Sequence, residues 1–121
     1  VKEKKVENIE KRIYELHASM CKVFSNPKRL EIINILREGE MNVGELSKKL
    51  GVSIGNLSQH LNMMKERGIL NSRKEGNVVY YRLANSKMLK AFDILREILF
   101  ERISREGALI REAKNNLGRR F

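Results

Sequence analysis

The run NVGELSKKLGVSIGNLSQHLNMMKERGILNSRKEGNVVYYRL, residues 42–83, carries two short helical patterns separated by Gly51, followed by two strand-like arms around a central glycine. Asn42 with Glu45 three positions on has the spacing of a capping box, which predicts a helix from Val43 that buries Val43, Leu46 and Leu50. Ser53 is the next N-cap residue. It opens a helix through Arg67 in which Leu57, Leu61 and Met64 recur at helical spacing until Gly68 ends it. Asn56, Ser58, Gln59, Asn62 and Lys65 are left on the outer side. Ile69 to Arg73 and Asn77 to Leu83 then form the two arms of a hairpin, with Gly76 supplying the positive φ its turn requires. Two helices and a hairpin in this order describe a winged helix-turn-helix, a mainly α fold with one small β-hairpin. The second helix has an apolar back and a front of small amides and hydroxyls, the chemistry that reads base edges in a DNA major groove.

Working outward, Val6, Ile9, Ile13, Leu16, Met20 and Val23 stand three and four apart over residues 1–25, the stripe of an amphipathic helix that needs a partner surface. Asn26-Pro27 reads as an N-cap followed by proline at the first helical position. Leu30, Ile33 and Leu36 carry the core face of the helix that follows, broadened by Ile32 and Ile35, until Gly39. Beyond the hairpin, Met88, Phe92, Leu95, Leu99 and Ile103 repeat the helical spacing, with Leu89, Ile94 and Ile98 widening the stripe. The pattern weakens past Gly107, where Leu109 and Ile110 extend it. Long helices at both ends carry more apolar surface than one small domain covers, so a homodimer built from residues 1–25 and 86–114 is expected. The organisation read from the chain is thus one winged-helix domain over residues 1–121. Its helix-turn-helix occupies 43–67, its wing 69–83, and a basic tail 115–121.

The 121 residues are 41% hydrophobic, enough for one core. Twenty-five Lys and Arg against fifteen Asp and Glu leave a formal net charge of +10, which favours a polyanionic partner through attraction and counterion release. Double-stranded DNA is the expected partner. An anionic membrane is the rival, but no apolar run approaches the roughly 20 residues of a span and no signal-peptide pattern opens the chain. One cysteine, Cys21, closes no intramolecular disulfide, in keeping with a reducing cytoplasm. No nucleophile and base are paired by a signature, no phosphate-binding glycine loop is present, and two histidines supply little acid–base chemistry, so an enzyme is not expected.

Within the second helix, Asn56, Ser58, Gln59 and Asn62 are the candidates for base contact, since Asn and Gln amides can pair bidentately with adenine. Gly55 would let the backbone approach a phosphate. Lys65, Arg73, Lys74 and Arg82 are candidate phosphate contacts, which position a reader without specifying sequence. Lys28, Arg29, Lys48 and Lys49 fit a solvated charged face equally well. His60, beside Leu61, reads as a partly buried packing residue. His17 and Cys21, four apart on one helix face, form the one metal-like pair. Across a dimer two such pairs could bring four N and S ligands together, whereas a helical cysteine in an apolar surround is ordinarily core filler. No metal or cofactor is assigned. Of Tyr80 and Tyr81, alternation along a strand turns one inward.

Four of these segments together resemble the ArsR family of bacterial and archaeal repressors. Phe24-Ser25-Asn26-Pro27-Lys28-Arg29-Leu30 stands where the family carries an alanine-leucine-like pair, a proline and an arginine-leucine. Glu40-Met41-Asn42-Val43-Gly44-Glu45-Leu46 is similar to its support-helix entry, and Asn56-Leu57-Ser58-Gln59-His60-Leu61 to its recognition-helix signature. Arg73-Lys74-Glu75-Gly76 with Tyr80-Tyr81-Arg82-Leu83 is similar to its wing. The resemblance implies a homodimeric winged helix that represses by excluding polymerase. Its metal sites are not carried over. Asn42 and Gly44 stand where sensor members often place cysteines, and residues 86–121 contain no histidine for a zinc site between the terminal helices.

The reading is therefore a cytoplasmic, sequence-specific, DNA-binding transcriptional regulator, a repressor acting as a homodimer on a palindromic operator, its inducer unspecified. The alternatives are an architectural protein that coats DNA without sequence preference, a thiol- or metal-responsive sensor using Cys21, and a winged-helix interaction module. Uniform footprinting would mark the first, and absence of DNA binding at physiological salt the last.

Overall fold

The computed structural model describes residues 2–104 and 107–118, and the chain divides between Asn85 and Ser86 into two compact units. The first unit starts with α1 (Lys2–Cys21), continued by a 3-10 turn (Lys22–Ser25). Asn26 then caps α2 (Pro27–Leu36), its Oδ1 accepting from the N–H groups of Lys28 at 2.9 Å and Arg29 at 3.3 Å, with Pro27 at the first helical position. Strand β1 (Met41–Asn42) leads into α3 (Val43–Leu50), Gly51 turns the chain, and α4 (Ile54–Glu66) follows. The capping box at α3 is present in a modified form. Asn42 Oδ1 accepts from Glu45 N–H at 2.8 Å, and the Glu45 carboxylate accepts from the Asn42 side-chain amide at 2.6 Å rather than from its backbone.

The end of α4 aims the wing. Gly68, at φ +79°, lets its own N–H reach the Lys65 carbonyl at 3.1 Å and the Ile69 N–H reach the Met64 carbonyl at 2.9 Å, which is the Schellman arrangement. Met64 and Ile69 are both fully buried, the apolar contact that accompanies it. β2 (Leu70–Glu75) and β3 (Val78–Leu83) pair antiparallel from Leu70 opposite Leu83 to Glu75 opposite Val78. In the two-residue loop only Gly76 has positive φ, +61°, as a type II′ turn requires. β1 completes a three-stranded sheet of order β1-β3-β2, with Met41 opposite Tyr81.

The core of this unit is Val23, Ile32, Ile33, Leu36, Leu46, Leu57, Leu61, Met64, Ile69 and Leu70, all buried. Arg67 ties α1 to it, its Nη1 donating to the Ser19 carbonyl at 2.9 Å, a cation on the last turn of a helix. The second unit holds α5 (Lys87–Ile103) and α6 (Ala108–Gly118). Arg111 Nε donates to the Ser104 carbonyl at 3.1 Å and Lys114 lies 5.7 Å from the centroid of the Phe100 ring, which fastens α6 to α5.

Mainly helical architecture, order of elements and hairpin match the expectation, with four differences. β1 lies outside it, because two residues carry no periodicity. Ile32 is fully buried where Leu30 is half-buried, since α2 is covered by the 3-10 turn, α3, α4 and β3 on more than one side. Val43 and Leu50 are half-buried rather than buried. The terminal pattern is two helices, with α6 taking up Asn115 to Gly118 of the expected tail. The Arg119 and Arg120 portion lies outside the described residues.

No side chain of α1 is buried, and Val6, Ile9, Ile13, Leu16 and Met20 are all exposed, as are Ile94, Leu95, Ile98 and Leu99 of α5. Cys21 is exposed too. The core-filler reading of it is therefore corrected: of the stripe expected over residues 1–25 only Val23, in the 3-10 turn, is buried, and the stripe residues within α1 stay exposed.

Candidate nucleic-acid interface

Position on α4 follows from a rotation of ~100° per residue. Leu57, Leu61 and Met64 fill one side, and Gln59, Gly55 and Asn62 stand about the middle of the opposite side together with the exposed Glu66, with Ser58 and Lys65 toward one edge and Asn56 toward the other. Gly55, Asn56, Gln59, Asn62 and Lys65 are exposed and Ser58 is half-buried. The structure thus brings the six helix residues singled out in the sequence onto one solvent-facing half. Ser53 holds the entry to this helix, its Oγ accepting from Asn56 N–H at 3.3 Å. Ser58 donates its hydroxyl to the Ile54 carbonyl at 2.8 Å, which leaves its oxygen as an acceptor. Among the described residues the side-chain amides of Gln59 and Asn62 make no hydrogen bond, so their donors and acceptors face water. A Cβ built on Gly55 would meet nothing within 4 Å, so the glycine answers no packing need of the free protein.

One exposed residue at the start of this helix is missed by the sequence reading. Ile54, the first residue of α4, is 55% exposed one turn before Ser58. Its spacing continues the stripe of Leu57, Leu61 and Met64 toward the N-terminus, but it precedes the first buried turn and stays exposed. Its place ahead of Leu57 is the available signal.

The cations divide by what they already hold. Lys65, Lys74 and Arg82 make no ion pair among the described residues. Arg29 is committed to the backbone, donating from Nε to the Val23 carbonyl at 2.9 Å and from Nη2 to the Lys22 carbonyl at 3.1 Å. Lys28 pairs with Glu31 at 3.2 Å. Arg73 is held by two carboxylates: Nε and Nη2 donate to Glu40, the shortest contact 2.6 Å, and Nη1 donates to Glu75 at 2.8 Å. Its guanidinium also stacks 4.5 Å from the centroid of Tyr80. The hydrogen bond from Arg73 holds the Glu40 carboxyl below its ordinary range, with the charges of Arg73 and Arg82 acting the same way. The two carboxylates correspondingly push the Arg73 guanidinium further from deprotonation.

His60 is half-buried, and desolvation, helped by the charge of Arg29, lowers its pKa, as a packing histidine requires. Tyr81 is the inward tyrosine, its phenol pushed up by burial, while Tyr80 sits on the outer face. His17 and Cys21 are both exposed, and no group of three or more His, Cys, Asp or Glu among the described residues could hold a metal ion. No helix among the described residues is long and apolar enough to cross a membrane.

Against known proteins, residues 26–72 match the family model described as bacterial regulatory protein, arsR family. The chain is 37% identical over 92 residues to the biofilm growth-associated repressor of Xylella fastidiosa, covering 76% of this chain and 80% of that one. It is 35% identical over 79 residues to the transcriptional activator HlyU of Vibrio cholerae, covering 65% and 73% respectively. Among solved structures, the homodimeric winged helix-turn-helix DNA-binding domain Mb0332 from Mycobacterium bovis matches with a TM-score of 0.73 at 25% identity, over 79% of this chain and 89% of that one. The crystal structure of the transcriptional repressor BigR from Xylella fastidiosa matches at 0.64 and 37% identity, over 76% and 93%. The relatives that these names describe are regulators rather than enzymes.

Proposed function

The chain belongs to the ArsR family of bacterial regulatory proteins, and from that footing we propose that it is a sequence-specific DNA-binding transcriptional repressor that acts as a homodimer in the cytoplasm. One observation carries the reading: unsatisfied amides, Gln59 and Asn62, stand in the middle of the solvent face of α4 while its opposite face is locked into the core. A helix presented in this way can enter a major groove with its N-terminal half against base edges. Gln59, Asn62 and Asn56 would supply donor–acceptor pairs for adenine, Ser58 an acceptor, and Ile54 an apolar contact for a thymine methyl group. Gly55, with open space in front of it, would bring the first turn of α4 and its unpaired N–H groups close to a phosphate. Lys65, Lys74 and Arg82, free of ion pairs, would neutralise flanking phosphates.

The dimer follows from the exposed stripes of α1 and α5, which a monomer would leave in water. Two-fold symmetry would then present two α4 helices to half-sites about one helical turn, ~34 Å, apart on a palindromic operator. Repression is the proposed outcome because a dimer seated on a promoter excludes polymerase.

The test is an anisotropy titration against duplexes recovered from the protein's own genome. Gln59→Ala and Asn62→Ala should each shrink the ratio of specific to nonspecific affinity by about 5- to 150-fold, the range of one bidentate base contact. An unchanged ratio in both variants means that α4 is not the reading element.

A further inference from the structure

We infer that Arg73 is a positioning residue for the wing rather than a phosphate ligand, and that Glu40 is the partner through which it acts. The inference rests on the DNA-binding reading above but changes the role of a wing cation that composition alone assigns to the nucleic acid.

Strand register sets the geometry. Arg73 lies directly opposite Tyr80, and Met41 opposite Tyr81, so the sheet runs β1, β3, β2 with Arg73 on the strand farthest from Glu40. The Arg73 side chain crosses the outer face of the sheet, passes over the Tyr80 ring at 4.5 Å, and ends on Glu40, the residue just before β1. It is a strap over the middle strand. Both Glu40 oxygens accept from it, and Glu75 accepts from the remaining terminal nitrogen, so all three guanidinium nitrogens are engaged.

The strap has something to hold. The hairpin pairs with the body of the unit through β1, which is two residues long, so little backbone pairing resists its swinging. A planar guanidinium stacked on an aromatic ring and forked onto a carboxylate resists that motion better than a flexible ammonium would. A single exposed ion pair contributes little, but this one is part of a network of two carboxylates and a ring, with the Glu40 side chain only 29% exposed. Glu40 and Glu75 already occupy three of the five N–H donors of Arg73, so a phosphate would have to share the remaining two with both carboxylates in place or displace one of them. Lys74 and Arg82 have no such competitors, and Arg82 also acts electrostatically on Glu40.

The two roles predict opposite signs for one substitution. If Arg73 were a phosphate ligand masked by Glu40, Glu40→Gln would free a cation, remove a negative charge and tighten DNA binding. As a positioning pair, Glu40→Gln loosens the wing and weakens binding despite the gain in net positive charge. The expected loss is about three- to fivefold, the scale of a partly exposed ion-pair network. Arg73→Gln should weaken binding by a similar factor, and the double variant no more than either single one. Binding is measured on the full chain at a temperature where circular dichroism shows every variant fully folded, so that loss of stability is not the cause.

A second readout needs no DNA. Amide hydrogen exchange in residues 72–80 should speed up in Glu40→Gln and in Arg73→Gln and stay at the wild-type rate in Lys74→Gln. Tighter or unchanged DNA binding by Glu40→Gln, or wild-type exchange in both strap variants, overturns the inference. If the wild-type chain binds no duplex, the DNA-binding reading fails instead, and exchange still decides whether the strap holds the wing.

Discussion

Truncating Ile13 to alanine probes the dimer where it can be measured most cleanly. Ile13 lies in the middle of the α1 stripe and is 56% exposed in the single chain. Full burial of such a side chain contributes roughly 1.5–3 kcal/mol, so covering the exposed 56% contributes about 1 kcal/mol per copy, allowing for the methyl that alanine keeps. A two-fold interface contains the residue twice, so Ile13→Ala should weaken dimerisation by about 2 kcal/mol, or roughly 30-fold in the dimer dissociation constant. Ile54→Ala provides a control of the same residue type and nearly the same exposure, 55%, located on the reading helix instead. Sedimentation equilibrium across a dilution series gives both constants. If Ile13→Ala and Ile54→Ala shift dimerisation equally, or Ile13→Ala leaves it within about twofold of wild type, the α1 stripe is not the interface and the two-half-site geometry loses its support.

Three further outcomes follow from the same geometry. Replacing Lys74 or Arg82 with Gln should weaken binding to all sequences alike and lower the slope of log affinity against log salt by about one each, read from titrations at several salt concentrations. Replacing thymine with uracil at each operator position should weaken the wild-type protein at one position per half-site and leave Ile54→Ala insensitive there, because only the thymine methyl is lost. His60, whose native pKa is lowered from its ordinary 6.5, adds stability that is complete above that value and lost as pH falls through the native one. His60→Gln should therefore flatten the decline in denaturation midpoint below pH about 6.5, and an unaltered decline would leave His60 without a role in acid stability.

How legible the molecule is in its sequence depends on how many residues each feature spans. The α4 helix is readable to its ends because three independent signals agree, the Ser53 cap, the Leu57, Leu61 and Met64 repeat, and Gly68 as the stop. The wing turn is readable for a related reason, since only glycine accepts the Gly76 backbone without strain. β1 is not, because it owes its existence to a partner strand distant in sequence. Ile54 escapes notice because its spacing from Leu57, Leu61 and Met64 assigns it to the inward stripe, while its place at the helix start leaves it exposed. Arg73 shows the limit most plainly: a cation in a basic hairpin is indistinguishable in sequence from its neighbour Lys74 until the fold brings Glu40, 33 positions away, onto it. The stripes of α1 and α5 are the converse case. Their periodicity alone marks an apolar surface in want of a partner, and the single chain leaves that surface uncovered.

The central claim is that the outward amides of α4 read sequence, once per protomer. Selection from a random duplex pool, sequenced for the wild-type chain and for the Gln59→Ala, Asn62→Ala double variant, tests it most directly. The account predicts a two-fold symmetric motif for the wild type, with preference lost at matching positions of both half-sites in the variant. Recovery of the same motif by both proteins, or of none by the wild type, would contradict it.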